Sequence, residues 1–187
     1  MAIIDTLLDQ QWRERARDAA QLDALITRER EILEATRALA DREGTVENNA
    51  HVGRALQRLS EHLAMRGDCD EALELKDEVI ALWARMERAR AHFLTRLQRA
   101  KILDQMGEDA AATLAFEELE VELTADDKLG TYADFLAEAR ALFHAARAQR
   151  ADALTQMQRA LQLRERRGNS KQIEETRALL SRLEALA

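Results

Sequence analysis

The sequence predicts an all-α protein built from stacked antiparallel helical hairpins. Its 187 residues include no proline, only six glycines and few aromatic residues, and its commonest residues are those that lose least on entering a helix. Apolar side chains recur at helical spacing, for example at Leu75, Val79, Leu82 and Met86. The chain also matches itself at a spacing of 40 or 41 residues, which is the mark of a helical repeat rather than of a single bundle.

The repeat is centred on Gly67–Ala72, which matches Gly107–Ala112 and then Ala148–Ala153. Small residues recur at Ser60, Ala100 and Ala141 and at Ala72, Ala112 and Ala153; other shared positions hold Leu63, Leu103 and His144, then Lys76, Phe116 and Met157, then Val79, Leu119 and Ala160. Small side chains at the crossing points let two antiparallel helices approach closely. Large side chains then project towards the next hairpin, so that each unit buries its open face on its neighbour.

The few breaks in the helical pattern set the predicted elements. Thr45 and Asp68 follow glycines and are candidate N-caps. The predicted helices cover 47–66, 69–87, 89–106, 109–123, 131–148, 151–167 and 171–186. Residues 2–43 form one long helix or two with a joint near Thr27.

The domain organisation predicted is an N-terminal helical segment or degenerate repeat at 1–46, followed by repeats and a capping helix at 47–187. In the N-terminal segment the small position is taken by Ile32, which fits the repeat poorly. No low-complexity linker interrupts the chain, which favours one continuous domain.

The pattern of small, large and glycine positions resembles the tetratricopeptide repeat. The resemblance covers about 53–167 in three copies, with Lys171–Ala187 similar to the terminal capping helix. It implies a right-handed solenoid of antiparallel hairpins, with about eight or nine helices here. The chain departs from the family in its longer period (34 residues is usual), in lacking the proline after the second helix, and in holding Cys69, Asp109 and Arg150 where an aromatic residue is frequent.

Composition and charge exclude several function classes. No apolar stretch approaches the roughly 18 residues that span a bilayer, and the N-terminus does not resemble a secretory signal, so we expect a cytoplasmic protein without membrane partners. The net charge of −7 argues against nucleic acid. Charge is segregated: 85–101 is basic and 104–138 is acidic. These segments are either solvated helix faces or a polarised surface that steers a basic partner or a second copy.

No residue pattern points to catalysis, to a cofactor or to a metal. None of the four histidines lies in a recognised ligand motif, and His144 occupies a core position of the repeat. Acidic neighbours oppose a thiolate at Cys69, which we interpret as a small turn residue. Arg164 interrupts an apolar stripe near a helix end, where a cation complements the helix dipole. We therefore expect no enzymatic activity.

The resemblance implies that the first helix of each hairpin lines a concave groove where peptides or helices dock. The corresponding groove residues are Arg54, Gln57, Glu61, Met65, Leu94, Leu97, Lys101, Phe135, Glu138 and Leu142. The family's carboxylate-clamp positions hold Gln57, Glu61, Gln98, Phe135 and Ala139, so an acidic chaperone tail is not the expected ligand. An amphipathic helix suits the apolar stretch better, unless its apolar residues pack against the N-terminal segment instead.

These observations predict a scaffold or adaptor that binds another protein. Two alternatives stay open at this point. The chain can be a self-assembling structural protein, in which 85–101 of one copy meets 104–138 of another, or a regulatory module of a signalling system.

Overall fold

The computed structural model describes residues 6–185, and in that part of the chain eight α-helices follow a short β-hairpin. The elements are β1 (Thr6–Leu8), β2 (Glu14–Ala16), α1 (Ala19–Glu43), α2 (Val46–Arg66), α3 (Cys69–Arg85), α4 (Ala89–Met106), α5 (Asp109–Ala125), a 3₁₀ helix (Asp127–Tyr132), α6 (Ala133–Ala146), α7 (Arg150–Arg167) and α8 (Ser170–Glu184). The all-α prediction is confirmed, and the predicted helix ends agree with these bounds to within two residues. Residue 186, the predicted end of the last helix, lies outside the described residues.

The chain divides into two compact units, which are described separately. Of the described residues, the N-terminal unit holds 6–9 together with Arg13–Asp109, and so contains both strands and α1 to α4. The C-terminal unit holds Gln10–Trp12 together with residues 110–185. In the C-terminal unit the Trp12 ring is buried, with the guanidinium of Arg182 4.2 Å from its centroid.

The hairpin corrects the prediction that the whole N-terminal segment is helical; residues 2–5 of that segment lie outside the described part. Its antiparallel strands are joined by a loop in which the Asp9 carboxylate accepts a hydrogen bond from the Arg13 amide at 2.9 Å. Arg15 on β2 donates to the Met65 carbonyl at the end of α2, at 3.3 Å. Local polar bonds and this tertiary anchor outweigh the weak helical preference of the segment, because helix propensity is only a weak prior.

The helix α1 is continuous from Ala19 to Glu43, so of the two alternatives left open, the one with a joint near Thr27 is excluded. Asp18 caps its start by accepting from the amide of Gln21 at 3.0 Å. The Thr27 hydroxyl donates to the carbonyl of Asp23, one turn earlier, and therefore causes no break. One face of the helix is buried, through Leu22, Ile26, Glu29 and Leu33.

The predicted caps are confirmed at one position and wrong at another. Thr45 accepts from the amide of Asn48 at 3.1 Å and starts α2 as expected. Asp68 makes no such bond at the start of α3, because its carboxylate accepts instead from Arg66 on the preceding turn. Gly67 does take the left-handed conformation expected of it, with φ of 105°. The repeat places Ala148 at the same position with φ of 55°, a conformation that costs a residue with a side chain about 1 kcal/mol or more.

The repeat register is confirmed by burial. All six small positions (Ser60, Ala72, Ala100, Ala112, Ala141, Ala153) are fully buried, as are Val79, Leu119 and Ala160 at the large ones. Within the N-terminal unit the register also appears in ion pairs between α1 and α3. Arg30 bonds Glu71, and Arg37 bonds Glu78, each pair spanning one repeat length.

One pair of repeat positions is filled by different chemistry in the two units. In the N-terminal unit Gly53 of α2 faces the ring of Trp83 of α3, and a Cβ built on Gly53 would lie 2.5 Å from the ring. Two repeat lengths later the same positions hold Asp134 of α6 and Arg164 of α7. There the guanidinium Nε donates to the Asp134 carboxylate at 3.0 Å. An aromatic ring seated over glycine and a buried ion pair thus fill equivalent space.

The Arg164 side chain is part of the core of the C-terminal unit, a role beyond the predicted one of complementing the helix dipole. Only 3% of the residue is exposed. Besides Asp134 it donates to Glu138 and to the Thr176 hydroxyl, and Arg167 donates to the second Asp134 oxygen. Burial favours the neutral form of Arg164, but the bonds to Glu138 and Asp134 outweigh it and raise its pKa. The arginine therefore stays charged and needs these partners.

Candidate protein-binding surface

The N-terminal part of the predicted groove lies on α2 and α4. Gln57, Glu61 and Met65 are half-buried and follow one another at four-residue spacing, so they share one face of α2. Their neighbour on that face, Arg54, is exposed. Helix α4 contributes the half-buried Leu94 and Lys101, together with Leu97.

Leu97 corrects the predicted groove. Only 3% of this residue is exposed, so its side chain is part of the core of the N-terminal unit and is not available to a partner. The apolar periodicity of α4 carries both core and surface leucines, and spacing alone does not separate them. Leu94, three residues earlier, keeps part of its surface accessible.

A small pocket of mixed polar and apolar lining opens between the predicted groove residues of the N-terminal unit. Its volume is about 30 Å³, enough to hold a water molecule. Its walls come from α2, α3, α4 and β2, through Glu14, Glu61, Ala64, Met65, Lys76, Gln98, Lys101, Ile102 and Gln105. Charged groups of both signs, amides and apolar carbons thus surround a single opening.

The most unusual residue of this pocket is Lys76. Its side chain is fully buried, and its Nζ lies 3.4 Å from the Glu61 carboxylate and 3.5 Å from the Gln57 carbonyl. Burial lowers the pKa of Lys76, the nearby Lys101 lowers it further, and Glu61 acts in the opposite direction. The repeat matches Lys76 with Phe116 and Met157. Lys76 could have been recognised from the sequence, because it places a charge at a position that is apolar in the other two copies.

The hairpin and the start of α3 adjoin the same pocket. Glu14 of β2 lines it, and its carboxylate accepts from the Thr6 hydroxyl at 3.1 Å. The Cys69 thiol lies 3.7 Å from the amide oxygen of Gln105, another lining residue. Burial raises the pKa of Cys69, against the influence of Arg15 and Arg13. The interpretation of Cys69 as a small turn residue agrees with a protonated thiol.

In the C-terminal unit the predicted groove residues Phe135, Glu138 and Leu142 are half-buried on α6. Two of them also serve the interior of the unit. Glu138 accepts from Arg164, and the Phe135 ring lies 5.6 Å from the same guanidinium. Their contribution to partner binding stays a prediction.

The acidic segment is partly neutralised inside the C-terminal unit. Burial raises the pKa of Glu120, but hydrogen bonds from Arg159 and Arg140 outweigh it, and the net pKa is lowered. Asp134 and Glu138 are engaged by Arg164. Less acidic charge is therefore free to meet a basic surface than the sequence count indicates, and the pairing of 85–101 with 104–138 of a second copy stays a prediction.

The histidines and acidic clusters show packing and hydrogen bonding in the described residues. His144 Nδ1 lies 2.6 Å from the amide oxygen of Gln149, in contact with the Phe143 ring. Burial lowers the pKa of His62. Between residues 6 and 185 no three His, Cys, Asp or Glu side chains are placed to hold a metal ion. In the same range no helix combines the length and apolarity needed to cross a bilayer.

Comparison with known proteins shows the fold. No protein-family model matches the chain, and no curated protein matches it. Among solved structures it resembles the nearly identical TPR-like repeats of a kinesin light chain from Podosopora anserina, at 17% identity and a TM-score of 0.54, over 88% of this chain and 78% of that one. MamA from Desulfovibrio magneticus RS-1 matches at 16% identity and a TM-score of 0.47, over 96% and 98% of the two chains. The likeness to the kinesin light chain repeats shows that the chain has a TPR-like helical repeat fold.

Proposed function

We propose that this protein is a non-enzymatic interaction module that binds a peptide or an amphipathic helix of another protein on the α2 and α4 face of its N-terminal unit. The observation that carries the proposal is the row of half-buried side chains of mixed chemistry on α2 and α4, which surrounds this small pocket. The TPR-like fold supports the same function, because repeats of this kind present extended surfaces on which partners dock.

The side chains of the α2 and α4 face define the chemistry of the partner. Met65 and Leu94 offer apolar surface that is only half-buried, while Glu61 and Lys101 place opposite charges beside it. An amphipathic helix with an apolar stripe and flanking charges of both signs complements this arrangement, with burial supplying affinity and charge fixing its direction. We propose Phe135, Glu138 and Leu142, half-buried on α6 of the C-terminal unit, as partner-binding residues of that unit in their own right.

We place this activity in the cytoplasm, as that of an adaptor or scaffold whose output depends on the bound partner. A role as a regulatory module in signalling follows the same mechanism, since the chain's described part carries the binding face and the partner would carry the output. Nucleic acids and membranes are not among the proposed partners, given the acidic balance of the chain.

The test is selection of binders from a displayed library of helical peptides, followed by calorimetric measurement of their Kd. The groove variant Gln98→Glu with Lys101→Glu changes two half-buried lining residues. Its control, Lys128→Glu with Gln158→Glu, makes the same charge change at exposed positions outside the N-terminal unit. We expect the groove variant to weaken binding at least about tenfold and the control to keep the wild-type Kd. Equal binding by all three proteins, with unchanged circular dichroism, would rule out this face.

A further inference from the structure

The exposed face of α1 carries a charge pattern that is complementary to itself when reversed. Arg30, Glu34, Arg37 and Asp41 are all exposed, and their spacing of four, three and four residues places them on one side of the helix. Read in the opposite direction, the stripe has acid where the forward stripe has base. In an antiparallel pair centred between Ala35 and Thr36, Arg30 meets Asp41 and Glu34 meets Arg37, and symmetry makes each contact twice.

One apolar pair beside the stripe follows the same register. Leu33 is opposite Ala38, and both residues line the groove between α1 and α3. Apolar contact therefore lies next to the charge pairs in this arrangement.

The stripe borders an open groove between α1 and α3 of the N-terminal unit. The groove has a volume of about 490 Å³. Leu33, Leu59 and Leu75 line it, and Arg30, Glu34, Arg37, Ala38, Asp41 and Glu71 complete it. Two of its arginines are held by Glu71 and Glu78 of α3, which fixes where their guanidinium groups lie. Apolar carbon between charged borders is the composition of a contact between proteins.

We infer that the occupant of this groove is the α1 helix of a second copy of the chain, packed antiparallel about a two-fold axis near Ala35. The charge complementarity is the argument, because an isologous interface requires a surface that complements itself. From Arg30 to Asp41 the stripe spans about 16 Å at 1.5 Å per residue, so four intermolecular ion pairs lie along roughly three turns. This face is distinct from the α2 and α4 pocket, and a dimer would present two of those pockets.

Because the pairs are near the surface, the dimer is expected to depend on salt. Charges at this exposure interact over a Debye length of about 10 Å at 0.1 M salt and about 3 Å at 1 M. The test is sedimentation equilibrium of the purified full chain at both salt concentrations. We expect twice the chain mass of 21.2 kDa at the lower salt and the single mass at the higher salt.

Charge variants locate the interface. Glu34→Lys with Asp41→Lys makes the stripe uniformly basic without removing either ion pair to α3, and we expect it to be monomeric. The matched control, Glu31→Lys with Glu117→Lys, makes the same change in charge at exposed residues off the stripe and should still dimerise. A second variant, Arg30→Glu with Arg37→Glu, makes the stripe acidic. Each of the two variants should be monomeric alone, and the two should form a heterodimer when they are mixed.

Three outcomes would overturn the inference. If the wild-type chain is monomeric at low salt, the inferred dimer does not form. A dimer that persists in the basic variant lies on another surface. If the folded acidic and basic variants, checked by circular dichroism, fail to associate on mixing, charge pairing along α1 does not hold the dimer together.

Discussion

Replacing Gly53 by alanine adds one methyl group inside the N-terminal unit, where the structure leaves no room for it. The new Cβ would lie 2.5 Å and 2.6 Å from two carbons of the Trp83 ring and 3.1 Å from a Leu82 methyl. Carbon atoms attract each other best at about 3.5–4.0 Å, so the ring would have to move by about 1 Å. Trp83 is only 4% exposed, so a shift of this size would push its ring against the side chains that surround it.

Two opposite effects set the magnitude. In an ordinary helix, exchanging glycine for alanine stabilises by about 1 kcal/mol, whereas overfilling a packed core costs about 1–3 kcal/mol. With a contact this short at Gly53 we expect the steric cost to win, and the free energy of unfolding to fall by about 1–2 kcal/mol. Urea denaturation followed by circular dichroism measures this difference. Gly130→Ala is the control, since a Cβ there meets nothing within 4 Å.

A double-mutant cycle identifies the ring as the cause. Trp83→Leu alone removes buried surface and leaves a cavity, which Gly53→Ala would partly fill in the double variant. The two changes should therefore be less damaging together than the sum of the single effects, with a coupling of about 1 kcal/mol or more. If Gly53→Ala instead stabilises the protein by the usual helix increment, the ring does not press on α2 and the packing argument fails.

Four further predictions concern Lys76, the pH dependence of stability, Asp134 and Ala148. Lys76→Met, which installs the residue found at the equivalent position of the third repeat, should stabilise by about 1–4 kcal/mol in urea denaturation; a loss of stability would mean that the Glu61 contact outweighs burial. Because the pKa of Lys76 is lowered from 10.5, the unfolded chain binds its proton more tightly, so wild-type stability should rise relative to this variant as pH increases towards 10.5. Asp134→Ala should cost about 3 kcal/mol by removing the buried carboxylate that accepts from Arg164, and Asp134→Leu with Arg164→Met should recover most of it; equal loss in both would locate the cost elsewhere. Ala148→Gly should raise the thermal midpoint by relieving a left-handed residue worth about 1 kcal/mol, whereas Ala81→Gly, at an exposed position within α3, should lower it.

The helices and their packing order could be predicted because the information is local and repeated. Each hairpin carries small residues at the same two positions, and the six of them are fully buried. A single copy would not have shown which alanines lie at crossing points. Three copies at one spacing do, since solvent-facing alanines have no reason to recur in register.

The β-hairpin formed by β1 and β2 could not be predicted, because its stability depends on a tertiary contact. Its strands have three residues each, too short to show an alternating pattern, and the bond from Arg15 to the Met65 carbonyl joins residues 50 positions apart. The role of Arg164 was missed for a similar reason. A single arginine in an apolar stripe is compatible with a helix end, and only the position of Asp134 on α6 shows that the pair is buried.

The groove was predicted in outline but not residue by residue. Helical spacing assigns a side chain to a face, and the neighbouring helix decides how much of that face is covered. Leu94 and Leu97 illustrate the limit: both lie on the inner side of α4, yet one is half-buried and the other is core. Lys76 illustrates the reverse, since its position in the repeat shows burial but not the pocket beside its amine.

The most direct test of the proposed function is photo-crosslinking from defined positions of the full chain in lysate of its source. A benzophenone amino acid replaces Gln98 at the α2 and α4 pocket, or Glu74 on the exposed side of α3. We expect a crosslinked partner from position 98 that is absent from position 74 and is lost in the Lys101→Glu variant. The same partner crosslinked from both positions, or from position 74 alone, would show that the pocket is not the docking face.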